Sequence, residues 1–116
     1  MSHTIADALV VVFTYGVSLR TWLDTGGISR ELALYERLAP HYGKIVLFTY
    51  GGPNDQKILD EALDPSLRSK FTLVCNSLRQ DTAVYSAAAP SLVRGSLPDA
   101  ECVVVKTNQK IGRAHV

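Results

Sequence analysis

Long apolar runs are missing from this chain. No segment approaches the eighteen or so apolar residues that a membrane-spanning helix needs. The N-terminus, Met1-Ser2-His3-Thr4-Ile5-Ala6-Asp7, puts no basic region ahead of its first apolar stretch, so a secretion signal is not expected. An excess of one charge is missing too. Twelve Lys and Arg against eleven Asp and Glu leave a net charge of +1, and the basic residues are scattered singly. Nucleic acid and an anionic membrane surface are therefore not expected as principal partners. Cysteine is scarce. Cys75 and Cys102 both fall in apolar, strand-like runs, where free thiols are usually buried. A disulfide between them stays open, but buried thiols without a signal point to a reducing, cytoplasmic compartment. The inner face of a membrane is at most a place the protein visits.

Several chemical signatures are also absent. No G-x-G-x-x-G dinucleotide fingerprint occurs, because nothing suitable follows Gly16, and Gly26-Gly27 comes late with no third glycine. Gly43-Lys44 runs into a strand without the glycine a phosphate-binding Walker loop requires. Gly16-Val17-Ser18-Leu19-Arg20 does not complete a G-x-S-x-G nucleophile elbow. Three isolated histidines and two distant cysteines give no metal-ligand spacing. His41, next to Pro40, reads as a surface residue at a helix end. Neither a metal nor a cofactor is expected, and no residue reads as a catalytic acid, base or nucleophile.

What is there is an ordinary globular composition, 47% apolar and 20% charged over 116 residues. That suits one modest domain or part of a larger one. Strand one, Ala8 to about Thr14, is continuous in Leu and Val, as a strand buried on both faces should be. A polar loop, Thr14 to Gly27, follows, longer than the two to six residues a plain strand-to-helix connection takes. The segment Ile28 to Ala39 then places Ile28, Leu32, Tyr35 and Leu38 or Ala39 on one helical face, ended by Pro40 and Gly43. Strand two is expected over Lys44 to Tyr50 and a short helix from Asp55 to about Leu63. Strand three follows at Phe71 to Cys75, then a helix from Leu78 to Ala89 stopped by Pro90, and strand four at Cys102 to Val105.

Apolar strands alternating with helical patterns predict an α/β, Rossmann-like open parallel sheet in the order 3-2-1-4. Strand four is then left as an unprotected apolar edge. In that order the direction of winding reverses between strands one and four, and open α/β sheets bind ligands at the C-terminal ends of such a pair. Two polar stretches leave the sheet there: the loop after strand one, and Lys106-Thr107-Asn108-Gln109 after strand four. Gly16, Ser18, Arg20, Trp22, Gly26, Gly27, Thr107, Asn108 and Gln109 are the candidate substrate-binding residues. Gly26 and Gly27 would offer backbone N–H groups to an anion at a helix start. Ser18, Thr21, Thr107, Asn108 and Gln109 would bond hydroxyls. Trp22 would present a flat face to a sugar ring, and Arg20 would pair with phosphate or carboxylate. Plainer roles compete: a helix cap for Gly26-Gly27, Asp24 or Thr25, a core anchor for Trp22, a polar turn for Thr-Asn-Gln.

The stretch Phe13-Thr14-Tyr15-Gly16-Val17-Ser18-Leu19-Arg20-Thr21-Trp22, followed by Gly27-Ile28-Ser29-Arg30-Glu31 and Leu34-Tyr35, resembles the start of glycosyltransferases of the GT-B fold, in the large family 4 of retaining enzymes. Tyr85-Ser86, Pro90 and Lys106-Thr107-Asn108-Gln109 resemble the continuation of the same N-terminal domain, so that the likeness spreads over nearly all of residues 8 to 109. It implies a two-domain enzyme whose N-terminal domain holds a sugar or lipid-linked acceptor and whose C-terminal domain binds a nucleotide-sugar donor. On that pattern this chain is a fragment, about half of an N-terminal domain, and is inactive by itself because the donor-binding domain with its paired glutamates is missing. Gly26 and Gly27 are the positions best matched for contacts to phosphate or acceptor.

The competing expectation is a small non-catalytic, Rossmann-like ligand- or nucleotide-binding module. Such a module needs an acidic cluster or a phosphate-binding glycine pattern at the strand ends, and Asp24 has no acidic neighbour. The last residues have a separate reading. Ile111-Gly112-Arg113-Ala114-His115-Val116 is what a common sequencing adapter, ATC GGA AGA GCA CAC GTC, encodes in frame, and Lys110 as AAG supplies the AG before it. Residues 1–109 are therefore taken as the partial domain and 110–116 as a non-native tail, which leaves His115 without functional weight.

Overall fold

Side chains alternate across a strand, so a strand that is apolar at every position must be covered on both faces. In the computed structural model, which describes residues 6–13, 15–76, 79–97 and 103–108, strand β1 (Ala6–Phe13) is that strand. It lies inside a four-stranded, all-parallel sheet with β2 (Tyr42–Phe48), β3 (Phe71–Val74) and β4 (Val103–Asn108). The spatial order is β3-β2-β1-β4, the expected one. Leu9, Val11 and Phe13 join Ile45, Leu47 and Phe71 in one apolar layer; Val10 joins Val46, Phe48 and Val74 in the other.

The first layer is roofed by helices α1 (Leu19–Asp24), α2 (Ile28–Leu38) and α3 (Asn54–Ala62). Leu19, Trp22, Ile28, Leu32, Tyr35, Ala39 and Leu59 turn inward there. The spacing of 28, 32, 35 and 39 is the stripe read from the sequence. Burial of each large aliphatic side chain stabilises by roughly 1.5–3 kcal/mol. The second layer is covered by α4 (Thr82–Ala87) and α5 (Ala89–Ser96), through Tyr85, Ala89, Val93 and Leu97. Right-handed crossovers require this division. The β1-to-β2 and β2-to-β3 connections pass on one face, and the β3-to-β4 connection returns over the other to reach the far side of β1.

The structure departs from expectation in several places, beginning with β1, which already pairs with β2 at Ala6. The stretch after β1 is not all loop, because residues 19–24 coil into α1 under a capping box. Ser18 accepts from the Thr21 amide, and the Thr21 hydroxyl accepts from the Ser18 amide. Strand β2 starts two residues early, at Tyr42, and ends at Phe48. The single helix expected over residues 78–89 is two helices. Pro90 falls in the first turn of α5, where a missing N–H costs nothing, and so opens a helix instead of stopping one. Strand β4, described from Val103, runs on past Val105 through Lys106, Thr107 and Asn108, because its register with β1 continues as far as Phe13. Polar residues are tolerated there because β4 is an edge strand. Cys102, Gln109 and the tail 110–116 lie outside the described residues. Among the described residues no helix is long and apolar enough to cross a membrane.

Candidate functional site

In parallel register, Phe13 of β1 faces Asn108 of β4, and Phe48 of β2 faces Val74 of β3. The chain leaving β1 therefore departs beside the end of β4, at the point where the winding reverses. From Tyr15 to Ser18 this connection bends over the C-terminal edge of the sheet. Gly16 sits at φ +81°, a left-handed conformation that favours glycine, and a Cβ there would meet only open space. Backbone at Gly16 is thus open to whatever approaches the edge.

Next to it stands an exposed aromatic ring. Tyr15 is 60% exposed, and its ring centroid is 5.3 Å from that of Tyr50, which follows β2. Tyr50 is held on several sides. It meets Phe48 and Tyr85 edge-on, each at 5.6 Å, and its hydroxyl lies 3.1 Å from Ser86 Oγ. The Tyr50 amide donates to the Val17 carbonyl at 3.1 Å, which ties the two loops together. Below them Tyr85 stacks on Phe48 at 4.7 Å, and its hydroxyl donates to the Thr49 carbonyl at 2.6 Å, with the Val74 carbonyl at 3.1 Å. Burial, followed by the nearby Cys75, Tyr50 and Asp55, pushes the Tyr85 phenol well above its ordinary value, so it acts as a fixed donor. Burial, with the Asp55 charge next, also pushes the Cys75 thiol up, which keeps it protonated and a poor nucleophile.

The candidate residues named from the sequence are dispersed by this geometry. Gly16 and Ser18 share the edge. Ser18 is half-buried, and its hydroxyl is committed to capping α1. Arg20 is exposed and paired with Asp24 at 2.9 Å one helical turn on, a surface pair of small energetic weight. Trp22 is 8% exposed and stacked on Phe13 at 4.3 Å, so the indole anchors α1 and offers no free face to a sugar. The amides of Gly26 and Gly27 are also spent: Gly26 donates to Leu23 and Gly27 to Trp22, each a carbonyl of α1. They are consumed because α1 formed, and an anion would have to displace those bonds. Asp24 and Thr25 close the C-terminal end of α1, so neither caps a helix start. Thr107 and Asn108 lie in β4 itself, beside Val12 and Phe13. Lys106, on the same strand, reaches back to place its ammonium 5.6 Å from the centre of the Tyr35 ring.

Three residues of this edge escaped the sequence reading. Tyr15 is the exposed aromatic that Trp22 was expected to be, and its place one residue before a left-handed glycine was the available signal. Tyr50 belonged to an apolar run and read as strand. Asp55 read as a helix opener. It does sit in the first turn of α3, but it is also only 3% exposed, with its carboxylate turned inward to accept bonds from the start of α1 and from Thr49. Among the described residues no group of three or more His, Cys, Asp or Glu is placed to hold a metal ion. A groove of about 430 Å³ does occur, lined by residues such as Val10, Val93, Leu97, Val103 and Val105. It is mostly apolar and lies on the α5 face, with Arg94 as its one charged lining residue. Compared with family models, curated proteins and solved structures, the chain has no match.

Proposed function

We propose that this chain forms the acceptor side of a glycosyltransferase of the GT-B type, which moves a sugar from a nucleotide-sugar to a hydroxylated acceptor. The observation that carries the reading is the pairing of Phe13 with Asn108, which sets the ends of β1 and β4 side by side at the reversal point. The likeness of residues 13–35 and 106–109 to family 4 enzymes supports it further. Tyr15 supplies an exposed aromatic face of the kind that pyranose rings stack on. Gly16 leaves backbone open next to that face, and the Thr107-Asn108 end of β4 forms the opposite side.

On this reading the residues of the edge bind and orient an acceptor hydroxyl and perform no proton transfer of their own. Transfer rests on alignment and on neutralising the departing diphosphate. That second task belongs to a donor-binding domain outside these residues. Reading the source gene past the codon for Gln109 tests the proposal. A second α/β half with paired glutamates is the expected result, and a stop codon at that point contradicts it.

A further inference from the structure

Asp55 is the one acidic side chain among the described residues that is almost wholly buried, and the proposed chemistry does not use it. Its Oδ2 accepts two bonds: from the Leu19 amide at 2.9 Å and from the Thr49 hydroxyl at 2.7 Å. Leu19 is the first residue of α1, and its N–H is one of the donors that a helix start leaves unpaired. Asp55 itself sits in the first turn of α3. One carboxylate therefore serves the N-terminal ends of two helices, where a negative charge is favoured. Thr49 passes the link on, since its Oγ1 also accepts from the Gly51 amide at 3.1 Å. Room for this arrangement depends on Gly51: a Cβ there would stand 2.3 Å from Asp55 Oδ2.

We propose that Asp55 is the positioning residue of the edge, latching the β1–α1 connection to the end of β2 so that Tyr15 and Gly16 stand over Tyr50. Residues 15–18 join the sheet through a short stretch of chain, and α1 is only six residues long. Such a segment is too short to fix its own place. Three ties hold it: the Asp55 bond to Leu19, the Tyr50 bond to Val17, and the packing of Leu19 and Trp22. Only the first is charge-assisted. The functional meaning of this latch rests on the acceptor-site reading, but the latch itself does not.

Amide hydrogen exchange on the full chain tests it, with the nuclear Overhauser contact between the Tyr15 and Tyr50 rings as a second readout. In Asp55→Ala, exchange at residues 17–25 is expected to rise at least tenfold more than exchange at Ile45–Phe48, and the ring contact is expected to vanish. Asp55→Asn keeps an oxygen that can accept both bonds, and should restore most of the protection and the contact. Gly51→Ala displaces the carboxylate without removing it. It should reproduce the local pattern, and it stands in for Asp55→Ala should that variant not fold. Faster exchange spread evenly over the sheet would overturn the proposal by making Asp55 a general contributor to stability. Unchanged exchange at residues 17–25 would overturn it too. Failure of the transferase reading would leave all these outcomes as they are.

Discussion

Trp22 lies nearly flat against Phe13, with the ring centroids 4.3 Å and the planes 17° apart. They are nine positions apart in sequence, and the contact folds α1 back onto the strand that precedes it. It also decides what the only tryptophan of the chain does. An indole stacked in the core fixes the loop and cannot serve as a platform for ligand.

Truncating that indole should therefore read as a core mutation. Trp22→Ala is expected to cost about 3–5 kcal/mol, as large aromatic truncations do, and Trp22→Phe much less. Urea unfolding measures both. A loss below about 1 kcal/mol for the alanine variant would show that the ring is not core.

The strand pattern was legible because physics leaves little choice: Leu9 to Phe13 and Ile45 to Phe48 cannot be apolar throughout unless both faces are covered. Sheet order followed from right-handed crossovers combined with the usual doubly wound arrangement. The stripe Ile28, Leu32, Tyr35, Ala39 was legible for the same kind of reason. The interior of the Thr14–Gly27 stretch was not. Ser18 and Thr21 make a capping box in which Thr replaces the usual Glu or Gln at the third position, a weaker signal, and helix α1 is too short to show a period. The end of β4 was misplaced because polarity was read as loop, although an edge strand needs to be apolar on only one side. Asp55 was invisible as a tie, because its partner Leu19 lies 36 residues away.

Tyr35 offers a gain in stability. Its side chain is fully buried, and its hydroxyl has no hydrogen-bond partner among the described residues. A buried unsatisfied hydroxyl costs about 1–3 kcal/mol. Tyr35→Phe should stabilise the chain by about 1 kcal/mol in urea unfolding, while the ring keeps its contact with Lys106. A destabilised variant would mean that the hydroxyl is satisfied.

The same phenol sets an alkaline limit. Burial, with the Glu31 charge second, pushes the Tyr35 phenol up to about 12, above the value of about 10 it has in an unfolded chain. A raised folded value contributes stability that is fully present below pH 10 and is lost as pH rises through 12. Tyr85 is shifted in the same direction. Urea midpoints should begin to fall near pH 9, where the Cys75 thiol ionises in the unfolded chain, and fall further above pH 10, less steeply there in Tyr35→Phe. An identical fall in both proteins would remove Tyr35 as a cause.

Strand β4 predicts behaviour at high concentration. Val103, Val104 and Val105 are 40%, 36% and 63% exposed on an edge strand. Such an edge invites pairing between molecules, and natural edges carry lysine to prevent it. Val105→Lys should lower concentration-dependent light scattering while changing stability by no more than about 0.5 kcal/mol. Scattering that stays the same would place the sticky surface elsewhere.

The most direct measurement is product formation by a protein that joins the present residues to the donor-binding half that the proposed function requires, assayed over a panel of nucleotide-sugars and sugar acceptors. Transfer with at least one pair is the expected result. Gly16→Val, which forces a branched side chain into a left-handed backbone at the open edge, should abolish transfer while the sheet stays folded. Neither transfer nor donor hydrolysis across the panel, from a folded protein, would contradict it.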